Sequence, residues 1–303
     1  MMVTSDLDYL PRLPEFDYLC PKTIKEACSL LDEHRNQAKV IAGGTDLLVS
    51  LKTKKLSPPY LVNIKGIPGL DCISYSEESG LKIGALATLQ SIASSPVVKN
   101  KFQMLGIGCN KIGPPQVRNM GTIGGNICNG GPSQDSLPSL LVLEAKLKLV
   151  SLKGKRTVPI EEFFLGPFQT ALREGELLTM IEIPPPPPRS NGCYQWLTKK
   201  TEVDETLVGV AVLMILDAMG SICQDLRIGL CSVAPTPIRA RRAEEILRGR
   251  KIQDSTIKEV AMIAAEETNP RSRAAYRRRM TSVLVKRAVS EVWRKVRQTV
   301  DRG

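Results

Sequence analysis

The chain has 303 residues, long enough for two or three packed units, and its 42% hydrophobic and 24% charged residues are typical of a globular protein. The net charge of +11 is concentrated near the C-terminus, where residues 235–303 hold 18 Lys or Arg against 8 Asp or Glu. This asymmetry indicates a basic face, either solvated or used to dock an acidic partner. Nucleic-acid binding is not expected, because the segment has only Tyr276 and Trp293 for stacking and no groove-reading motif.

Targeting and membrane signals are not expected in this sequence. The first ten residues contain Asp6 and Asp8 and lack a basic start followed by an apolar run, so we predict no signal peptide and a cytoplasmic location. The longest apolar stretch, 207–216, is shorter than the about 20 residues that cross a bilayer. It predicts a buried strand and no membrane span.

Cysteine and histidine usage excludes several kinds of site. The eight cysteines contain no C-x-x-C pair, which is typical of scattered buried thiols in a reducing compartment. The single histidine, His34, excludes a histidine-based triad or a multi-histidine metal site. We expect His34 on the solvated surface and no metal bound by this chain.

The first part of the chain predicts a βαβ-like unit. Thr23 and Glu26 fit a capping box at the start of an amphipathic helix. A strand at 39–41, a helix at 47–54 with Asp46 as its N-cap, and a strand at 61–64 follow in that order.

The middle and last parts predict a mixture of strands and helices. In order we expect a strand at 81–85, a helix opened by Thr88, a helix at 135–144 capped by Asp135, and a hairpin whose first strand is 146–150 and whose turn surrounds Gly154. Five prolines at 184–188 predict a stiff extended linker. Beyond it we expect strands at 195–198, 207–217 and 225–233, a helix capped by Thr236-Pro237 and ending at Gly249, and a final helix at 272–300.

Two glycine-rich turns are the strongest functional signal. Ala42-Gly43-Gly44-Thr45-Asp46 and Gly121-Thr122-Ile123-Gly124-Gly125-Asn126 each lead into a helical pattern. Glycine lets backbone N–H groups approach a phosphate closely, and the N-terminus of a helix adds partial positive charge. Two such turns predict a ligand with two phosphates, held from two sides.

The segment 115–127, Pro-Gln-Val-Arg-Asn-Met-Gly-Thr-Ile-Gly-Gly-Asn-Ile, resembles the flavin subunit of the molybdenum hydroxylases, enzymes of the xanthine dehydrogenase and carbon monoxide dehydrogenase type. In that family this segment and a first loop matching 42–48 wrap the FAD pyrophosphate. Further matches at 61–69, 159–167, 175–184, 230–241 and 274–278 extend the resemblance over almost the whole chain. Met120 stands where the family usually has a basic residue.

The resemblance implies an α+β fold. It has a two-part FAD-binding domain of the vanillyl-alcohol-oxidase-like type and a smaller α+β C-terminal domain. We place the first FAD-binding subdomain at residues 1–64, the second at 65–183, a Pro-rich linker at 184–191 and the C-terminal domain at 192–303.

The resemblance also implies the cofactor contacts, position by position. They are Val40, Ile41, Ala42, Gly43, Gly44, Thr45, Asp46, Leu47, Ile112, Thr122, Ile123, Gly124, Gly125, Asn126, Asp135, Thr179 and Trp196. Many relatives have a lysine at the position of Trp196, eight residues before the aspartate that matches Asp204. Trp196 either stacks near the isoalloxazine ring or fills the core.

The function implied by the resemblance is electron transfer through non-covalent FAD, with no catalytic residue supplied by this chain. A small partner subunit would hold two [2Fe–2S] clusters and a large one the molybdenum cofactor, in a dimer of such trimers. The flavin would pass electrons to NAD or another acceptor. Two alternatives remain at this point: a self-contained flavin oxidase of the same fold, and a non-enzymatic module that binds through the basic C-terminal helix.

Overall fold

The N-terminal part of the computed structural model, which describes residues 12–200 and 205–300, is a small parallel sheet with two helices. The elements are β1 (Asp17–Leu19), α1 (Ile24–His34), β2 (Ala38–Ile41), α2 (Leu47–Lys52) and β3 (Tyr60–Asn63), and the strand order is β1-β3-β2. Both strand pairs are parallel, which confirms the βαβ-like unit.

The sequence locates α1 correctly but misses two details around it. The Thr23 hydroxyl accepts the Glu26 N–H at 3.1 Å, as expected of an N-cap, whereas the Glu26 carboxylate accepts the N–H of Lys22. The His34 ring is only partly exposed and stacks on Tyr60 with 3.8 Å between ring centroids, which corrects the expectation of a solvated residue.

A five-stranded antiparallel sheet, in the order β4-β5-β10-β6-β7, forms the second layer. Its strands are β4 (Ile73–Ser76), β5 (Gly80–Gly84), β6 (Lys146–Ser151), β7 (Gly154–Pro159) and β10 (Leu177–Ile183), with a small hairpin of β8 (Phe164–Gly166) and β9 (Gln169–Thr170). Six helices lie between β5 and β6: α3 (Leu89–Ser94), α4 (Pro96–Lys101), α5 (Gln103–Lys111), α6 (Pro115–Met120), α7 (Ile123–Asn129) and α8 (Ser136–Val142). The Thr88 cap, the helix after Asp135 and the 146–150 strand are confirmed, and the Leu152-Lys153 turn joins Ser151 to Gly154.

The C-terminal part packs a four-stranded antiparallel sheet against helices. Its elements are β11 (Ser190–Thr198), β12 (Thr206–Leu216), β13 (Cys223–Cys231), β14 (Ile238–Arg239), α9 (Arg241–Leu247), α10 (Asp254–Glu266) and α11 (Ala274–Val300). The prolines from 184 to 187 lie in neither helix nor strand, as expected. The predicted cap at Thr236-Pro237 is wrong: β14 follows these residues, and α9 begins only after Ala240.

Helix α8 joins the two parts of the chain. All seven of its residues are buried. A Cβ on Gly229 of β13 would stand 2.4 Å from the Pro138 carbonyl oxygen, so the strand backbone lies directly on the helix. The two faces of β12 enter different clusters: Ala211 and Leu213 pack with the five-stranded sheet and its helices, whereas Val208 and Val210 pack with α10 and α11. Strand β12 thus contributes to the cores of both parts, and the proposed domain boundaries stay a prediction.

Candidate functional site

The two glycine turns lie against each other. A Cβ placed on Gly43 would stand 2.1 Å from the carbonyl oxygen of Met120, and one on Gly121 would stand 3.6 Å from the Thr45 hydroxyl. Gly43 therefore has no room for a side chain, because the backbone of the second turn occupies that space. The fold thus brings together two turns that are about eighty residues apart in sequence.

The first turn has unused backbone donors. The N–H groups of residues 43–46 donate to no acceptor in the described part of the chain, whereas the Gly44 carbonyl accepts the N–H of Leu48 at 2.9 Å. Gly44 has a φ of +72°, a conformation that side-chain-bearing residues rarely adopt. Buried N–H groups are nearly always paired, so a partly buried turn with open N–H groups is suited to an anionic ligand.

The first helical turn of α7 is different, because its N–H groups already have acceptors. The Thr122 hydroxyl accepts Gly125 N–H at 3.1 Å, and the carbonyls of Ala87 and Ala85 accept the N–H groups of Ile123 and Gly124. The second turn therefore offers a ligand its surface and the Thr122 hydroxyl rather than a row of free N–H groups.

Gly124 and Gly125 have different surroundings. A Cβ on Gly124 would stand 2.6 Å from the Ala85 carbonyl oxygen, so this glycine allows α7 to pack on the segment after β5. Gly125 is exposed, and a Cβ there would have only the Thr122 hydroxyl within 4 Å. Gly124 is thus required by packing, and Gly125 faces open space beside the loops.

A cleft of about 360 Å³ opens beside the two turns. Its walls include Gly43, Thr88, Met120, Thr122 and the segment 65–68. The remaining positions of the first loop pack in the hydrophobic core next to the turn. Ile41 packs with Leu51 and Leu61, and Leu47 lies at the edge of this cluster. Val40 and Ala42 pack against a neighbouring cluster of the parallel sheet.

Asp135 does not cap α8 through its side chain, although it occupies the N-cap position. Its Oδ1 atom accepts hydrogen bonds from the Tyr194 hydroxyl at 2.5 Å and the Thr206 hydroxyl at 2.6 Å. Burial raises the pKa of Asp135, against the two hydroxyl donors and the positive charge of Lys111, which lower it. Strands β11 and β12 of the C-terminal part thus fix the carboxylate that precedes α8.

Two polar residues lie beside Asp135. The Oδ1 atom of Asn126 accepts the Ser136 hydroxyl at 2.6 Å, so the second loop is tied to the start of α8. The Oε1 atom of Gln134 is buried and has no hydrogen-bond partner among the described residues. Because buried polar atoms are normally satisfied, Gln134 is a candidate ligand contact.

Trp196 is partly buried and carries a cation on its ring. Its indole lies nearly parallel to the Tyr194 ring, with 6.0 Å between centroids and 14° between planes. The Lys111 ammonium is 4.3 Å from the centroid of the Trp196 ring. Ile112, the next residue in the chain, packs on the same core as Trp196. Asp204, the other position named by the resemblance, lies outside the described residues.

Thr179 reaches the second loop through backbone hydrogen bonds. Its carbonyl accepts Ala85 N–H at 3.0 Å, and the Ala85 carbonyl in turn accepts Gly124 N–H. Its hydroxyl points elsewhere, donating to the Lys148 carbonyl at 3.2 Å, and it lines a second cleft of about 800 Å³ between α1 and the outer face of the five-stranded sheet. The sequence does not predict Lys111, Gln134, Tyr194 or Thr206 near this site, since no motif marks them.

Comparison with known proteins identifies the family. The family described as "FAD binding domain in molybdopterin dehydrogenase" matches residues 14–186, and "CO dehydrogenase flavoprotein C-terminal domain" matches residues 193–292. The carbon monoxide dehydrogenase medium chain of Hydrogenophaga pseudoflava is 35% identical over 92% of this chain and 98% of its own length. A putative xanthine dehydrogenase FAD-binding subunit of Escherichia coli is 31% identical over 89% of this chain and 93% of its own length.

Solved structures agree with the sequence comparison. A Hydrogenophaga pseudoflava carbon monoxide dehydrogenase that lacks the Mo-pyranopterin moiety contains a chain that superimposes with a TM-score of 0.89 at 35% identity, covering 93% of this chain and 98% of that one. Quinoline 2-oxidoreductase from Pseudomonas putida gives a TM-score of 0.87 at 27% identity, covering 94% and 99%. The fold and the paired glycine turns thus define a flavoprotein component of an oxidoreductase. The chain belongs to the family of FAD-binding medium subunits of molybdenum hydroxylases, and the predicted fold class and family resemblance are confirmed.

None of the described helices is both long and apolar enough to cross a membrane.

Proposed function

We propose that this chain binds one FAD non-covalently and carries electrons between a partner subunit and an external acceptor. The observation that carries the proposal is the first turn, whose N–H groups at residues 43–46 have no acceptor among the described residues and which lies against a second glycine turn. Open N–H groups beside a cleft are suited to the pyrophosphate of a dinucleotide.

The residues present fit such a cofactor. The open N–H groups of 43–46, the exposed surface of Gly125 and the Thr122 hydroxyl would hold the pyrophosphate. The Gln134 Oε1 atom, which has no partner in the described part of the chain, and the second oxygen of Asp135 would accept hydrogen bonds from the cofactor. We assign Val40, Ile41, Ala42 and Leu47 to loop support, Ile123, Gly124 and Asn126 to shaping α7, and Ile112, Thr179 and Trp196 to further cofactor contacts.

The protein contributes binding and electrostatics rather than proton-transfer groups. FAD, when bound, accepts electrons singly or in pairs, and this is the chemistry that the cofactor supplies. The buried Asp135 carboxylate accepts hydrogen bonds from two hydroxyls, so we assign it to fixing the cofactor.

Relatives named as a medium chain or an FAD-binding subunit support a role within a larger assembly. We infer an iron–sulfur small subunit with [2Fe–2S] clusters and a large subunit with the molybdenum cofactor, arranged as a dimer of heterotrimers in the cytoplasm. Electrons would enter the flavin from the clusters and leave to NAD or another acceptor.

Acid precipitation of the purified protein tests the cofactor directly. All yellow colour should appear in the supernatant as FAD, at one molecule per chain. Flavin retained on the protein pellet would contradict non-covalent binding, and release of FMN would contradict the role given to the two turns.

A further inference from the structure

The second cleft, of about 800 Å³ between α1 and the outer face of the five-stranded sheet, has mostly basic charged residues, and we call it the basic cleft. They are Lys25 of α1, Lys82 of β5, Lys148 of β6, Lys155 and Arg156 of β7, and Glu182 of β10. A cleft lined by charges of one sign concentrates ions of the opposite sign. Among the residues assigned to the FAD cofactor, Thr179 lines this cleft, and its hydroxyl already donates to the Lys148 carbonyl. The proposed FAD site does not explain the rest of the basic cleft.

The strand register places three of these lysines on one face of the sheet. Lys82 lies opposite Glu182. Met180, two residues before Glu182, lies opposite Lys148. Lys155 lies opposite the residue two positions after Lys148. Residues that are opposite each other, or two apart on one strand, share a face, so Lys82, Lys148 and Lys155 line the same side of the cleft.

Two of the five cations have carboxylate partners, and three have none. The Lys148 ammonium is 2.8 Å from a Glu182 oxygen, and the Arg156 guanidinium is 2.6 Å from a Glu176 oxygen. The other three lysines form no ion pair within the part of the chain that the structure describes. Like charges that share a cleft repel one another, so an anion bound there would be stabilised by all three.

Apolar side chains form the remaining wall of the basic cleft. Ile24 comes from α1, and Val150, Leu152 and Met180 come from the sheet and its hairpin turn. The Cys28 thiol donates to the Val150 carbonyl at 3.4 Å and so ties α1 to the sheet across the cleft. Pockets for small organic molecules commonly enclose about 300–1,000 Å³, and the basic cleft has this size. A simple inorganic anion would leave the apolar wall unused.

We propose that the basic cleft binds a nucleotide, with its phosphates on Lys25, Lys82 and Lys155 and its base against Ile24 and Met180. A nucleotide combines a chain of negatively charged phosphates with a flat ring that has apolar faces, which matches the two kinds of wall. Lysine ammonium groups bind phosphate oxygens as point charges. This site is separate from the cleft beside the glycine turns, and the inference does not rest on the proposed function.

Calorimetric titration of the full chain with ADP, at saturating FAD so that the first site is filled, tests the inference. One ADP should bind per chain, and adenosine, which lacks the phosphates, should bind at least about tenfold more weakly. Lys82→Met/Lys155→Met keeps the length of both side chains but removes their charges, and it should weaken ADP binding by about tenfold or more. Lys82→Arg/Lys155→Arg should retain the wild-type affinity.

A matched control separates the cleft from net charge. Lys99→Met/Lys258→Met removes two exposed lysines that line neither cleft, and it should leave the affinity for ADP unchanged. Equal weakening in both Met variants would contradict the inference, as would wild-type affinity in Lys82→Met/Lys155→Met.

The identity of the ligand is tested by the same titrations. No binding of ADP to the FAD-loaded chain would overturn the inference, and slower assembly of Lys82→Met/Lys155→Met with partner subunits would then assign the lysines to an acidic protein surface. Adenosine that binds as tightly as ADP would contradict the role of the lysines. A chain that binds no FAD would refute the proposed function alone, because the loss of ADP binding in Lys82→Met/Lys155→Met reports on the basic cleft by itself.

Discussion

At the scale of single residues, the glycines of the two turns have separable roles. Gly124 is confined by the Ala85 backbone, whereas Gly125 is exposed and has only the Thr122 hydroxyl near its would-be Cβ. The family motif treats these neighbours alike, and the sequence gives no basis for separating them. Only the packing of α7 against the segment after β5 does so.

Gly125→Val should abolish FAD retention while the chain stays folded, because the branched side chain extends into the space beside the loops. Gly124→Ala should instead lower the melting temperature, since its Cβ would lie 2.6 Å from the Ala85 carbonyl oxygen. Flavin absorbance and thermal unfolding, measured on both variants, separate the two effects. Wild-type flavin content in Gly125→Val would show that the second turn is only structural.

Gly44→Val should also lose FAD, for a conformational reason. The residue has a φ of +72°, which a β-branched side chain does not tolerate, so the turn that presents the open N–H groups should be distorted. Equilibrium dialysis with FAD checks the expected loss. Retention of FAD with unchanged affinity would show that the conformation of the first turn is not needed to bind FAD.

Asp135 should make stability depend on pH. Burial raises the folded-state pKa of its carboxyl above the ordinary value, so the folded chain holds a proton more tightly than the unfolded chain. The free energy of unfolding should therefore fall as pH rises from the unfolded-state pKa, ordinarily about 3.9, through the higher folded-state pKa. Asp135→Asn should lack this part of the pH dependence. Denaturant unfolding of both proteins at a series of pH values tests this, and parallel curves would contradict it.

At the scale of elements, the sequence predicts well where a local signal decides the structure. Thr23 and Thr88 cap helices through their hydroxyls as expected, and the apolar stretch at 207–216 is a buried strand. The stripe of Met280, Leu284, Ala288, Val292 and Val296 packs α11 against the C-terminal core. In each case the hydrophobic pattern or the capping residue favours the same element that the tertiary contacts stabilise.

The failures occur where tertiary contacts decide. Thr236-Pro237 has the features of a helix cap, but the chain instead pairs Ile238 and Arg239 with β13, and this delays the helix to Arg241. Asp135 likewise has the sequence features of a helix cap, but its carboxylate instead accepts hydrogen bonds from hydroxyls of β11 and β12. Neither interaction can be predicted from the neighbouring sequence. The hydroxyl donors to Asp135, for example, are Tyr194 and Thr206, which lie far along the chain.

The start of α9 is fixed by a buried ion pair. Arg239 and Glu244 have side chains that are 1% and 0% exposed, and Glu244 also accepts the backbone N–H of Ile228 at 2.8 Å. Glu244→Gln should destabilise the chain by about 3–5 kcal/mol, because it leaves a buried guanidinium without its counter-ion. The matched change Glu266→Gln breaks the exposed pair with Arg242 and should cost no more than about 1 kcal/mol. Denaturant unfolding compares the two, and equal losses would contradict the assigned role.

At the scale of the whole molecule, the basic C-terminal part presents its charge to solvent. Exposed cations on α11 include Arg278, Arg279, Lys286, Arg287, Arg294 and Arg297. The predicted basic face therefore exists, and its use in assembly stays a proposal. The contact between α8 and the C-terminal sheet was not predicted, because it joins segments that are distant in sequence.

If this face steers assembly, Lys286→Glu/Arg287→Glu should slow association with the partner subunits at low salt. The difference should fade as salt rises, since screening acts over about 8 Å at physiological ionic strength. Lys146→Glu/Lys153→Glu makes the same change of net charge on exposed residues elsewhere and serves as the control. Stopped-flow association rates that fall equally in both variants would assign the effect to net charge alone.

Reoxidation of the partner's clusters shows whether electrons leave the complex through the flavin of this chain. The complex is purified with either the wild-type chain or the flavin-free Gly125→Val chain, reduced anaerobically with dithionite, freed of excess reductant and mixed with NAD, a quinone analogue or oxygen. We expect cluster absorbance to recover rapidly with at least one acceptor in the wild-type complex, whereas the clusters of the flavin-free complex should remain reduced. Equal reoxidation rates for the two complexes would contradict this expectation, as would a lone wild-type chain that oxidises an organic substrate by itself.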